Sequence, residues 1–298
     1  MRTRNVATLA VACALGLAVV TTFAVTKTSA PPPPNVPGGA GQPAAHPAPK
    51  PTASAKPGQQ KWRPGTAENP LTYVALGDSY AAGQGGGKEQ GACLRSPNGY
   101  PGLLGRTVGI RLDVNAACSG ATTRDVRRKQ LGALGPSVQL ITLSVGGNDL
   151  NVAALPALCE RQKSRACEKA VRASITALGG LSPKLADVYR AVEAAAPNAR
   201  ILVTGYPSFY DVPKPSDRDF ATIVAVDAAV IALNDAIKQA VAKEQRAGAD
   251  IGFVDVSFAG HGVASKHPWY VLSGLDALHP TDAGYRAYAK AVQKALAG

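Results

Sequence analysis

Five short apolar runs punctuate the chain from residue 71 onward. Leu71-Thr72-Tyr73-Val74-Ala75-Leu76 ends at a glycine, and residues 111–117, 138–145, 200–204 and 251–256 are similar. Runs of this length with little polar alternation suit strands of a parallel sheet covered on both faces. Between them, apolar residues recur at three- and four-residue spacing. Residues 170–196 read as helix, broken near Gly179-Gly180 and Pro183; residues 223–247 read as a cleaner helix ending in Arg246-Ala247-Gly248; residues 282–297 read as a closing helix. Strand alternating with helix predicts an α/β fold, a parallel sheet with helices on both sides. No internal repeat interrupts this pattern.

Upstream of residue 71 the pattern changes character. Met1-Arg2-Thr3-Arg4-Asn5 is followed by an apolar or small stretch over residues 6–25, then by Lys27-Thr28-Ser29-Ala30 and four prolines. A positive start, an apolar middle and a small-residue end fit a secretory signal peptide over 1–30, cleaved near Ala30. The apolar stretch is also just long enough, at about 20 residues, to span a bilayer, so an uncleaved membrane anchor is the alternative. Residues 31–66 are rich in Pro, Ala, Gly and Lys and contain almost no large aliphatics. Such a segment cannot offset its chain entropy by burial, and a disordered linker is expected there. One catalytic domain then occupies 67–298, where about 230 residues suffice for a sizeable core.

Charge sharpens this division. The formal charge is +12, yet seven Lys and Arg and no acid precede Glu68, while 25 basic and 20 acidic residues follow from there. The excess therefore belongs largely to the leader and linker. Nucleic-acid binding is a poor reading, because no basic stripe with interleaved aromatics appears. Weak contact of the linker with an anionic wall or membrane surface stays open.

Cys13 lies inside the leader, with apolar sequence continuing past it, which argues against a lipoprotein. Cys93, Cys118, Cys159 and Cys167 form an even set downstream, and in an exported chain an even set points to disulfides. Three pairings are possible. Sequential pairing, Cys93–Cys118 and Cys159–Cys167, is expected because the last two enclose only a short polar loop. Zinc is disfavoured, since neither pair has close CxxC spacing.

Four blocks carry candidate chemistry: Gly77-Asp78-Ser79-Tyr80, Cys118-Ser119-Gly120-Ala121-Thr122, Gly146-Gly147-Asn148-Asp149 and Asp276-Ala277-Leu278-His279-Pro280. The first three each follow a predicted strand by a few residues, and active sites of such sheets form beyond the carboxyl ends of the strands. Ser79 stands where a tight turn begins a helix, which exposes its hydroxyl and leaves its amide near a helix N-terminus. A serine hydroxyl needs a base. His279 qualifies, with the Asp276 carboxylate three residues earlier expected to hold the ring's Nδ1–H. Asn148 offers a side-chain amide and Gly120 a backbone N–H with room for a substrate; with the Ser79 amide they make a candidate oxyanion hole. Taken singly, each block is also an ordinary turn or helix cap. His261 and His267 fall in a Gly- and Ser-containing loop and are read as loop residues rather than metal ligands.

Together the blocks resemble those of the SGNH hydrolases, the GDSL lipases and esterases, whose Ser, Gly, Asn and His fall on Ser79, Gly120, Asn148 and His279. Tyr80 stands where the family motif usually has Leu, as in its secreted bacterial branch. That branch is further resembled at residues 77–85, 118–126, 145–150, 279–285 and at Gly205-Tyr206-Pro207. The resemblance spans about 70–298. It implies a flavodoxin-like α/β/α sandwich with a five-stranded parallel sheet of order 2-1-3-4-5, a Ser79–His279–Asp276 triad and no metal or organic cofactor. It implies a secreted, monomeric serine esterase or lipase, acting through an acyl-enzyme on lipid or short-to-medium acyl esters. Deacetylation of polysaccharides is the alternative within enzymes. A non-catalytic, tethered surface-binding protein is the alternative outside them. The secreted branch often carries a third disulfide after Tyr206; no cysteine follows Cys167 here, so a more mobile loop is expected there.

Overall fold

The computed structural model describes residues 63–150, 165–211 and 220–297. The leader, most of the linker and Cys159 lie outside the described residues. Five strands form one sheet: β1 Leu71–Gly77, β2 Ile110–Asn115, β3 Leu140–Ser144, β4 Arg200–Thr204 and β5 Ile251–Val254. Their order is β2-β1-β3-β4-β5, and every neighbouring pair is parallel. The five apolar runs are the five strands, and the implied strand order is the one found.

The burial of each strand follows its place. In the central strands β1, β3 and β4, Val74, Ala75, Leu76, Leu140, Ile141, Leu143, Leu202 and Val203 are buried, because helices cover both faces. Burying each large aliphatic contributes roughly 1.5–3 kcal/mol. The edge strand β2 is mostly exposed or half-buried, with the looser pattern Ile-Arg-Leu-Asp-Val-Asn.

The helices are α1 Ser79–Ala82, α2 Tyr100–Leu104, α3 Thr123–Asp125, α4 Arg165–Gly179, α5 Leu181–Ala195, α6 Phe220–Arg246 and α7 Asp282–Ala297. Helix α2 packs on α7, and α5 packs on α6. The expected break in the 170–196 helix falls at Gly180, between α4 and α5, and the closing helix has the predicted bounds. A π-helical turn, Val126–Gln130, continues α3 and was not anticipated. Among the described residues no helix is long and apolar enough to cross a membrane.

This topology brings the tops of β1, β2 and β3 side by side. Gly77 ends β1 at φ +130°, where a Cβ would lie 2.1 Å from the Ser144 carbonyl oxygen. Only glycine lets β1 and β3 approach this closely while the chain turns into α1.

Candidate active site

Ser79 is the first residue of the single-turn helix α1, and Asp78 caps that turn by accepting from the Tyr80 amide at 3.0 Å. A first-turn amide has no acceptor within its helix, which leaves the Ser79 N–H as a candidate donor to a bound group. His279 arrives from the far end of the chain. Its Nε2 lies 2.8 Å from Ser79 Oγ, across 200 residues of sequence.

The turn that delivers His279 is tightly held. Val271 N donates to His279 O at 2.9 Å, Leu278 N to Val271 O at 2.8 Å, and Tyr80 Oη to Leu278 O at 2.8 Å. Leu278 takes a left-handed conformation, φ +67°. For a leucine that costs on the order of 1–2 kcal/mol, and the surrounding bonds enforce it.

Asp276 is beside the ring, but through a different oxygen from the one expected. His279 Nδ1 lies 3.3 Å from the Asp276 main-chain carbonyl. The carboxylate instead accepts from Gln84 Nε2 at 3.0 Å, and the same Gln84 nitrogen reaches Leu275 O at 3.3 Å. The expected carboxylate-to-ring bond is therefore replaced by a carbonyl-to-ring bond. The cause is the left-handed Leu278, which folds the Asp276 carbonyl back toward the ring, together with Gln84, which holds the side chain away. A carbonyl can only accept, so the proton belongs on Nδ1, and Nε2 presents its lone pair to Ser79. Burial lowers the His279 pKa from its usual value; the Asp276 carbonyl and the Asp276 charge oppose that shift in part. The ring is thus neutral near pH 7 and free to take a proton.

The other two blocks lie on the same rim. Gly120 is exposed at φ +78°, with nothing within 4 Å of where a Cβ would stand. Asn148 belongs to a 3₁₀ turn, Gly147–Leu150, that follows β3. Its Nδ2 donates to Ala121 O at 3.1 Å, which aims the amide and leaves its second hydrogen uncommitted. Thr123 locks the two blocks together, its N–H and hydroxyl both donating to the Asp149 carboxylate at 2.9 and 2.6 Å.

Several residues that hold the site escaped the sequence reading. Gln84, buried within a glycine-rich stretch, also accepts from Ser119 Oγ at 2.6 Å, so one side chain ties the first, second and fourth blocks. Tyr206 donates to the buried Asp78 carboxylate and accepts from the Gly147 amide at 3.3 Å, joining the first block to the third. Gln130 brackets Gly77, accepting from its N–H at 2.7 Å and donating to its carbonyl at 2.8 Å. Tyr206 and Gln84 lie in segments already noted for their resemblance, though nothing there singled out either side chain; Gln130 carries no signal short of the fold. His261 stacks on Trp269 at 3.7 Å between ring centroids, and its Nδ1 meets His267 O at 2.9 Å; this pair is a loop brace.

Cys93 and Cys118 form the expected disulfide. The expected Cys159–Cys167 pair lies outside the described residues, because Cys159 does.

Comparison with known proteins agrees with this fold. Residues 75–287 match the GDSL-like lipase/acylhydrolase family. A lipase of Streptomyces rimosus is 34% identical over 224 residues, covering 71% of this chain and 81% of the relative. Lipase 1 of Streptomyces coelicolor is 35% identical over 221 residues, with the same coverage of 71% and 81%. Among solved structures, the extracellular lipase of S. rimosus superposes with a TM-score of 0.67 at 32% identity, covering 76% of this chain and 99% of its own. Phospholipase A1 of Streptomyces albidoflavus NA297 gives 0.66 at 33% identity, again covering 76% and 99%.

Proposed function

The chain belongs to the GDSL-like lipase/acylhydrolase family and is a carboxylic ester hydrolase, and from that premise we propose that Ser79 is its nucleophile and His279 its general base. The observation that carries this assignment is the 2.8 Å contact between His279 Nε2 and Ser79 Oγ. His279 takes the hydroxyl proton as Ser79 Oγ attacks the acyl carbonyl carbon. The resulting oxyanion is met by the Ser79 and Gly120 amides and by Asn148 Nδ2. His279 then gives the proton to the leaving alcohol oxygen, and an acyl-Ser79 ester remains. Water, deprotonated by His279, attacks that ester; the tetrahedral adduct collapses and frees the acid. The Asp276 carbonyl keeps the ring in one tautomer throughout and stabilises the imidazolium.

The substrate class is lipid or short-to-medium acyl esters, supported by relatives named as lipases and a phospholipase A1. Export to the extracellular space is supported by the signal-like residues 1–30, by the Cys93–Cys118 disulfide and by a relative described as extracellular. The test is Ser79→Ala, assayed on p-nitrophenyl esters with folding checked by circular dichroism. Turnover is expected to fall by about 10⁴-fold or more. A folded variant with wild-type turnover would remove Ser79 from the mechanism.

A further inference from the structure

A cavity of about 900 Å³ runs from Asn148 along the groove between α5 and the turn that follows α3. Its wall includes Thr122, Thr123, Arg124, Arg127, Arg128 and Lys184, above a floor that contains Leu131 and Ala191. The sequence 122–130 makes this wall basic by construction. Thr122 and Asp125 form a reciprocal capping box that starts α3. The next turn is π-helical, a form that recurs at functional sites. It is anchored inward by Val126, fully buried, and by Gln130, buried against Gly77. With both ends of the turn fixed in the core, residues 127–129 face outward. Lys129 is drawn off by Asp125 at 2.9 Å, whereas Arg127 and Arg128 line the cavity.

The two acids on the same wall have partners of their own, although Asp149 keeps its charge because Thr123 is neutral. Asp149 accepts two hydrogen bonds from Thr123, and Asp187 pairs with Arg190. Among the described residues, no ion pair involves Arg124, Arg127, Arg128 or Lys184. Three guanidiniums and an ammonium therefore outnumber the two carboxylates, Asp149 and Asp187, on the wall of a space that begins at a proposed oxyanion donor. Guanidinium forks match the geometry of phosphate oxygens.

We propose that this cavity is a subsite for a phosphate group carried by the ester substrate, so that the enzyme prefers phosphate-bearing acyl esters, such as anionic glycerophospholipids, over neutral esters of equal chain length. The phosphate sits among Arg124, Arg127 and Arg128 while the acyl carbonyl reaches Ser79 past Asn148. The preference rests on the Ser79 mechanism above but is separable from it, because hydrolysis of a neutral ester reports the mechanism and the ratio of the two substrates reports the subsite.

The experiment compares two soluble esters with the same short acyl chains, diacylglycerol and diacylglycerol phosphate, below their aggregation limits. The variant is Arg124→Gln/Arg127→Gln/Arg128→Gln, all exposed positions, and the charge-matched control is Lys243→Gln/Lys290→Gln/Lys294→Gln, outside the cavity. Wild type is expected to favour the phosphate ester, and added salt to weaken that preference. The arginine variant should lower the phosphate-to-neutral ratio of kcat/KM at least about tenfold, chiefly through KM, and the lysine control should leave the ratio unchanged. Equal ratios in wild type and the arginine variant, or equal losses in the arginine and lysine variants, would overturn the subsite. Inorganic phosphate separates the two sources of the anion: competitive inhibition of phosphate-ester hydrolysis that is lost in the arginine variant supports the proposal. Phosphate binding at the arginines with no substrate preference would show a site for the free anion and overturn it.

Discussion

A histidine three residues after an aspartate can meet either of that aspartate's acceptors, the carboxylate or the main-chain carbonyl, and the two make different demands on the enzyme. Here Nδ1 faces the carbonyl, and Gln84 occupies the carboxylate. Asp276→Asn keeps the carbonyl and can still accept from Gln84. Its kcat/KM at pH 8 is therefore expected within about tenfold of wild type, where losing a ring-facing carboxylate costs about 10⁴-fold. The same variant removes a charge that raises the His279 pKa. The wild-type acid limb should lie below the usual histidine midpoint of about 6.5, and the variant's limb should move lower still. A pH profile of kcat/KM checks both; a 10⁴-fold loss at pH 8 would restore the carboxylate to the ring. That Ser79 and His279 would meet was legible because the proposed chemistry needs a serine and a histidine side by side, and the structure brings them within 2.8 Å. The choice between the oxygens of Asp276 was not, because Gln84, 192 residues away, makes it.

At the scale of elements, the strands were legible almost to the residue, since central parallel strands must be apolar on both faces. The π-helical turn was not, because its anchor is a long-range bond from Gln130 to Gly77 rather than any local propensity. The link between the tops of β1 and β3 was equally hidden. It runs from Asp78 through the Tyr206 hydroxyl to the Gly147 amide. Burial raises the Asp78 pKa to about 6, although the bond from Tyr206 pulls it down. A carboxyl whose folded pKa is raised contributes its stability at low pH and loses it as pH rises through that value. Tyr206→Phe removes the offsetting bond, so Asp78 shifts further up and the charged form becomes costlier. The variant should be destabilised by roughly 1–3 kcal/mol at pH 8 and by less at pH 5, where the carboxyl is protonated. Urea melts at the two pH values measure this; an equal loss at both would mean that Asp78 does not feel the hydroxyl.

For the molecule as a whole, the sheet order and the pairing of Cys93 with Cys118 matched expectation, and the disulfide has a positional role. It ties the second block to the loop that carries Cys93, where Ser119 N also donates to Cys93 O at 3.1 Å, while Cys118 N donates to Gly77 O of the first block at 3.0 Å. Closing a loop of 25 residues contributes about 3.5 kcal/mol. Cys93→Ala/Cys118→Ala is expected to lose about 2–4 kcal/mol of stability while keeping measurable esterase activity, since Ser79 and His279 are held by other bonds. Denaturant melts and initial rates of the same preparation decide this; full stability in the double variant would make the bridge incidental. The 200-residue gap between Ser79 and His279, the proposed nucleophile and base, has a consequence of its own, one of timing. The ribosome lays down Ser79 with the first strand and His279 only after the fifth, so a chain still being made holds a serine with no partner to activate it. On the proposed mechanism, ester cleavage starts only when the last turn docks, and a chain cut before His279 is expected to be inert wherever it finds itself.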